Sequence, residues 1–237
     1  MGVCIIIAGG DEAGRGAVVG PIVISIVSVS KGKEGKLSRI GVRDSKMLTR
    51  RKREFLLEEI NAIAEEVCVY SITNGEINQA MQNKISINEL EALNFAKLID
   101  STNVVPEKLY IDSPDVVSER FGLRIKLFSK RPLMINGVRE KGRRLPGTIK
   151  ILSEHKADAR YPVVSAASII AKVTRDEEIE RIKEKSGVKM GSGYPSDKYT
   201  IDAIKANLKN DKLTPYIRNY WKTMNIIKQL KIEDFMS

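Results

Sequence analysis

Three short apolar runs in this chain end on an aspartate or just before one. Residues 3–8 are rich in β-branched side chains and run through Gly9 and Gly10 into Asp11, Lys108–Asp112 ends on its own carboxylate, and residues 148–152 shortly precede Asp158. Runs of this length and composition read as buried strands. If their ends meet in one sheet, the carboxylates are brought together, and such a cluster repels itself unless cations neutralise it or protons bind. Hard divalent ions such as Mg²⁺ or Mn²⁺ prefer oxygen ligands and fit that need. Two of them roughly 3.5–4 Å apart can activate a water and stabilise a leaving oxygen in an in-line attack on phosphate.

Glu12 complicates this arrangement, because adjacent residues on a regular strand face opposite sides. Asp11 and Glu12 are expected to share a site only where the strand is ending, and the surrounding Gly9, Gly10, Gly14 and Gly16 are expected to supply that irregularity. A polar turn without a metal is the alternative that pattern alone leaves open.

Further strands are predicted over residues 18–29 and 67–72, with a Gly- and Lys-rich turn over 31–36. Residues 49–64 predict an amphipathic helix with Thr49 as N-cap and an apolar face of Phe55, Leu56, Ile60 and Ile63. A second helix is expected over 86–99, with Leu90, Leu93, Phe95 and Leu98 inside. A third is expected over 162–185, opening with Ser165, Ala166, Ala167 and Ser168, small residues that permit close packing on a sheet. Two more helices are expected beyond Asp197. The order, without repeats, predicts a mixed α/β sheet covered by helices.

The chain has 237 residues, enough for a sizeable core, and a net charge of +10. That excess favours a polyanionic partner, of which nucleic acid is the commonest. It is concentrated in residues 129–150, where seven basic residues face the single acid Glu140 for a local balance of +6. Pro132, Gly137, Gly142, Pro146 and Gly147 predict an exposed loop or hairpin there, a solvated excursion or a phosphate-contacting arm. The longest apolar run is too short and too polar to cross a membrane, and the N-terminus lacks a secretory signal. No membrane association and a cytoplasmic location are expected. Cys4 and Cys68 are expected as reduced buried thiols, and with one histidine they cannot complete a zinc site unaided.

Five motifs in order resemble type 2 ribonuclease H (ribonuclease HII), most nearly its archaeal members: residues 11–16 (Asp-Glu-Ala-Gly-Arg-Gly), 44–46 (Asp-Ser-Lys), 155–158 (His-Lys-Ala-Asp), 162–168 (Pro-Val-Val-Ser-Ala-Ala-Ser) and 191–197 (Gly-Ser-Gly-Tyr-Pro-Ser-Asp). The resemblance implies an α/β ribonuclease H-like fold, a five-stranded mixed sheet flanked by helices. It implies a catalytic domain over 1–190 with a helical extension over 191–237. It also implies endonucleolytic cleavage of the RNA strand of RNA–DNA hybrids, and incision at ribonucleotides embedded in duplex DNA, by two-metal-ion catalysis leaving 3′-hydroxyl and 5′-phosphate ends.

Carried over by motif, the four acidic ligands for two Mg²⁺ or Mn²⁺ ions are Asp11, Glu12, Asp112 and Asp158, with Asp115 the rival of Asp112. Substrate would be read by Gly14, Arg15 and Gly16, by Tyr194 packing on the deoxyribose beside the ribonucleotide, and by Lys46 on a phosphate. The 2′-hydroxyl is the group that separates RNA from DNA. No catalytic role is carried to His155, and Trp221 is expected in the core. Three departures from the family pattern stand out. Gly10 replaces an apolar residue and implies a looser end to the strand. Ala17 and Lys198 occupy frequent proline positions and imply some lost rigidity. The stretch from Asp112 to Asp158 is longer than usual.

At the C-terminus, Gln229, Ile232, Phe235 and Met236 have the spacing of a sliding-clamp-binding peptide, with Met236 in place of a final aromatic. The protein is expected to be a monomer active in DNA replication and repair. A noncatalytic hybrid-binding module and a different two-metal nuclease on the same fold are the alternatives. The filled acidic positions argue against the first and the ribose-reading motif against the second.

Overall fold

The computed structural model describes residues 5–42, 48–138, 145–227 and 229. In chain order the elements are β1 (Ile6–Ala13), β2 (Ile22–Ser30), α1 (Glu34–Ile40), α2 (Arg50–Ile63), β3 (Glu66–Ile72), α3 (Asn74–Gln82), α4 (Ile87–Ser101), β4 (Lys108–Asp112), α5 (Ser118–Phe128), β5 (Leu133–Ile135), β6 (Ile149–Glu154), α6 (Ala157–Arg160), α7 (Pro162–Ser186) and α8 (Lys198–Ala206). The mixed α/β architecture is as expected. The sheet order is β3-β2-β1-β4-β6-β5. β1 pairs antiparallel with β2 and parallel with β4, and β6 runs parallel to both β4 and β5.

The sheet has six strands among the described residues, one more than expected. The extra one, β5, is a three-residue edge strand inside the basic segment. Leu133 and Ile135 point inward on either side of Met134, a period too short to stand out between Pro132 and Gly137. Residues 139–144, the most basic part of that segment, lie outside the described residues.

Several local expectations hold and others need correction. Thr49 caps α2 by accepting the Lys52 N–H at 3.3 Å. Leu56 and Ile60 are fully buried, but Phe55 is 53% exposed and carries the Lys52 ammonium 4.8 Å from its ring centroid. The strand expected over 18–29 begins only at Ile22, because Gly20 adopts φ +91° and Pro21 follows it. The turn expected over 31–36 is a 3₁₀ turn leading into α1. Helix α3 was not anticipated although its start carries a capping box: Thr73 accepts the Glu76 N–H, and Glu76 accepts the Thr73 N–H at 2.8 Å.

The chain divides into two compact units. The first comprises Met1–Ala13, Val23–Tyr70 and Asn88–Val173; the second comprises Gly14–Ile22, Ser71–Ile87 and Thr174–Ser237. Residues 191–237, expected as a helical extension, fall in the second. The core of the first unit brings Ile7, Val27 and Val29 of the sheet against Val163, Val164, Ala167 and Ile170 of α7. The small residues of α7 match a bare place on β1, since a Cβ on Gly9 would collide with the backbone of Val163 and Val164. The second unit has its own core of Val18, Val19, Ile179, Ile182, Ile204, Leu213 and Ile217, with Trp221 partly buried against it.

Candidate active site

Asp11 and Glu12 sit within a regular ladder, contrary to the irregular strand end expected. β1 continues to Ala13, with Asp11 opposite Ser25 and Glu12 opposite Ile24. Gly10 does not loosen the strand either. It pairs with Ile26 on one side and Ile111 on the other, and a Cβ there would stand 3.1 Å from the Phe95 ring. The two acids therefore communicate along the strand rather than across a turn.

Asp11 is only 5% exposed, and its Oδ1 accepts the Glu12 N–H at 2.8 Å. Burial pushes its carboxyl well above the ordinary aspartate range, and the charges of Glu12 and Asp112 push it further. The Ser168 hydroxyl and the Glu12 N–H oppose this by hydrogen bonding to the charged form. Ser168, fully buried on α7, accepts a hydrogen bond from Lys172 Nζ at 2.7 Å. Lys172 and Ser168 thus form a support behind Asp11 that the sequence reading missed. Their spacing of four on one helix was the available signal.

Asp112 ends β4 and its Oδ1 accepts the Ala157 N–H at 2.7 Å, the first residue of α6. The next residue, Asp158, is buried, and its carbonyl accepts the Ser165 hydroxyl. Asp115, the rival of Asp112, is engaged elsewhere: Arg124 pairs with it at 3.1 Å and Asn88 donates to it. Asp112, whose charge reaches Asp11, is the better placed of the two. His155 Nε2 lies 2.7 Å from the Asp115 carbonyl, an anchor for the loop between β6 and α6. Electrostatics thus links Asp11, Glu12 and Asp112, and α6 links Asp112 to Asp158. Among the described residues no three His, Cys, Asp or Glu side chains already form a metal cage.

In the second unit, Gly14 opens a turn closed by the Ala17 N–H on the Gly14 carbonyl at 3.1 Å, a bond that a proline at position 17 could not make. Gly14 has φ +89°, and a Cβ there would stand 2.7 Å from the Pro21 carbonyl oxygen. Gly16 differs, since it is exposed and a Cβ would meet nothing within 4 Å among the described residues. Arg218, fully buried, donates to the Arg15 carbonyl at 2.8 Å and twice to the Gly20 carbonyl, at 3.0 and 2.8 Å. Tyr194 is half-buried over the Arg175 guanidinium. Lys46, with Asp44 and Ser45, lies outside the described residues, as do Ile232, Phe235 and Met236; Gln229 is exposed.

The family model for ribonuclease HII matches residues 8–224, a span containing every one of these groups except the tail. This chain belongs to the ribonuclease HII family. Ribonuclease HII of Pyrococcus abyssi is 40% identical over 237 residues, covering 97% of this chain and 97% of that protein. The crystal structure of ribonuclease H2 from Pyrococcus horikoshii OT3 superposes with a TM-score of 0.80 at 39% identity, covering 95% of this chain and 98% of that one. A structure of the PCNA:RNase HII complex from Archaeoglobus fulgidus matches with a TM-score of 0.74 at 38% identity, over 92% and 96% of the two chains. Ribonuclease HII enzymes are hydrolases that cut RNA in RNA–DNA hybrids with divalent metal ions, Mg²⁺ or Mn²⁺. The end products standard for the family are a 3′-hydroxyl and a 5′-phosphate. Among the described residues of this ribonuclease HII, no helix is long and apolar enough to cross a membrane.

Proposed function

We propose that Asp11, Glu12, Asp112 and Asp158 are the ligands through which this chain carries out the family reaction, holding two Mg²⁺ or Mn²⁺ ions. The observation that carries this is the state of Asp11, a buried carboxylate burdened by two further negative charges. Cations beside such a group favour its charged form, and the donor set is all oxygen, which suits hard divalent ions. The ions supply water activation and charge stabilisation at the leaving oxygen. The protein's own part is orientation. The Ser168 hydroxyl and the Glu12 N–H fix Asp11, and the Ala157 N–H fixes Asp112.

Gly14, Arg15 and Gly16 read the ribose 2′-hydroxyl, Tyr194 packs on the neighbouring deoxyribose, and Lys46 contacts a phosphate. This assignment extends the substrates to DNA with single embedded ribonucleotides. Gly16 supports it, because nothing among the described residues requires a glycine there, whereas a sugar approaching the backbone does. Gly16→Ala should leave the melting temperature unchanged and lower cleavage of a duplex carrying one ribonucleotide by about tenfold or more. Cleavage is measured with Mg²⁺ and Mn²⁺ in turn, on that duplex and on a uniform hybrid. If the wild type cuts neither, the proposal is wrong; if Gly16→Ala cuts as well as wild type, the assignment of the turn is wrong.

The tail residues Gln229, Ile232, Phe235 and Met236 dock on a sliding clamp, which places this cytoplasmic, monomeric enzyme at replication and repair sites. The spacing of the tail and the existence of the PCNA:RNase HII complex of the Archaeoglobus protein support this. Phe235→Ala should abolish retention on immobilised clamp while leaving cleavage of a free hybrid unchanged. Equal retention of both proteins would remove the tail from the interface.

A further inference from the structure

The turn and the tyrosine assigned above to the substrate sugars share one internal support, Arg175 of α7. Its side chain is almost wholly inside, with the residue 3% exposed. The guanidinium carbon lies 4.4 Å from the centroid of the Tyr194 ring. Its Nη2 donates to the Ser192 carbonyl, and Nη1 stands 3.6 Å from Asp176. On the other side the stem reaches the turn: Cγ and Nε are 3.3 and 3.4 Å from where a Cβ of Gly14 would be. The two loops also meet directly, since the Val18 and Val19 N–H groups donate to the Gly193 carbonyl at 2.8 and 3.2 Å.

An arginine in this place is unfavourable on its own terms. Burial pushes its guanidinium below the ordinary range, and Nε finds no hydrogen-bond partner among the described residues. An aliphatic side chain would fill the volume without that penalty. What arginine alone provides is a flat, charged plate with one face under an aromatic ring, an edge on a carbonyl and a stem against a glycine turn.

We propose that Arg175 is a positioning residue that locks Tyr194 and the Gly14–Gly16 turn into one gauge. The gauge fixes the distance between the sugar whose 2′-hydroxyl is read and the next sugar, where a deoxyribose fits better than a ribose. Arg175 thereby sets preference for an RNA–DNA junction over continuous RNA, without touching substrate itself. The inference rests on the substrate assignment made under Proposed function.

The test compares kcat/KM on a duplex with one embedded ribonucleotide and on a uniform hybrid, using one preparation of each full-length variant. The ratio of the two is independent of how much of the preparation is folded. Arg175→Lys keeps the charge and loses the plate; it should lower the ratio about tenfold, chiefly through kcat on the junction substrate. Tyr194→Ala should lower the ratio similarly, and combining the two should change it less than about threefold further. A ratio unchanged in Arg175→Lys while Tyr194→Ala lowers it overturns the role of Arg175, as do multiplicative effects in the double variant. If Tyr194→Ala and Gly16→Ala both leave the ratio unchanged, it is the substrate assignment that falls.

Discussion

Asp11→Asn should lower cleavage by at least about a hundredfold while making the metal-free protein more resistant to heat. The two effects have one origin. In the folded chain the Asp11 carboxyl is raised by burial and by the charges of Glu12 and Asp112, so the fold favours its protonated form. Its contribution to stability is fully present below the ordinary aspartate range. That contribution is lost as pH rises through the raised value. At neutral pH without divalent ions the wild type has therefore lost the stability that the protonated carboxyl contributes, a loss that the neutral asparagine avoids, and the variant should melt a few degrees higher. Adding Mg²⁺ or Mn²⁺ should raise the wild-type midpoint and move the variant far less. Thermal melts across pH, with and without metal, check this. A variant that melts lower than the wild type at neutral pH would contradict the origin given to Asp11's raised carboxyl.

Gly9→Ala should cost about 3 kcal/mol of stability, although it adds one methyl group to an apolar interior. The methyl would have to enter space held by the backbone of Val163 and Val164, and a helix start cannot swing aside as a side chain can. Gly10→Ala, one residue along the same strand, meets only the edge of the Phe95 ring at 3.1 Å. It should cost about 1 kcal/mol, because that ring can shift by a few tenths of an ångström. Chemical denaturation of both variants measures the difference. Similar losses would mean that α7 yields as easily as an aromatic ring.

Much of this structure was legible because the signals were local. The strands ending in Asp112 and preceding Asp158 stand out by β-branching and flanking polarity, and Thr49 announces α2 with a hydroxyl before an apolar stripe. The relation of Asp11 to Glu12 was misjudged for lack of long-range information. The glycines around them suggested a broken strand, but pairing with β2 keeps β1 regular through Ala13, past Gly10 where its pairing with β4 stops. Phe55 was placed inside from helical periodicity, which gives the direction of a stripe and not its width. Arg175 and Arg218 stayed hidden for another reason. Arg175 and Arg218 bond to carbonyls at Ser192, Arg15 and Gly20, and a carbonyl leaves no mark in an amino-acid sequence. Gly16 became informative only when no described residue proved to stand close to it.

The position of β1 has a consequence for how the enzyme comes into being. As the chain leaves the ribosome, β1 can pair at once with β2 through a short connection. Its other edge waits for β4, some hundred residues later, and β4 in turn waits for β6. The three carboxylate-bearing ends therefore cannot converge while synthesis is under way through the first half of the chain. Until then β1 is the edge of a three-stranded sheet with β2 and β3, and Asp11 lacks Asp112 as a neighbour. The capacity to cut appears late and at once, with the closing of the sheet.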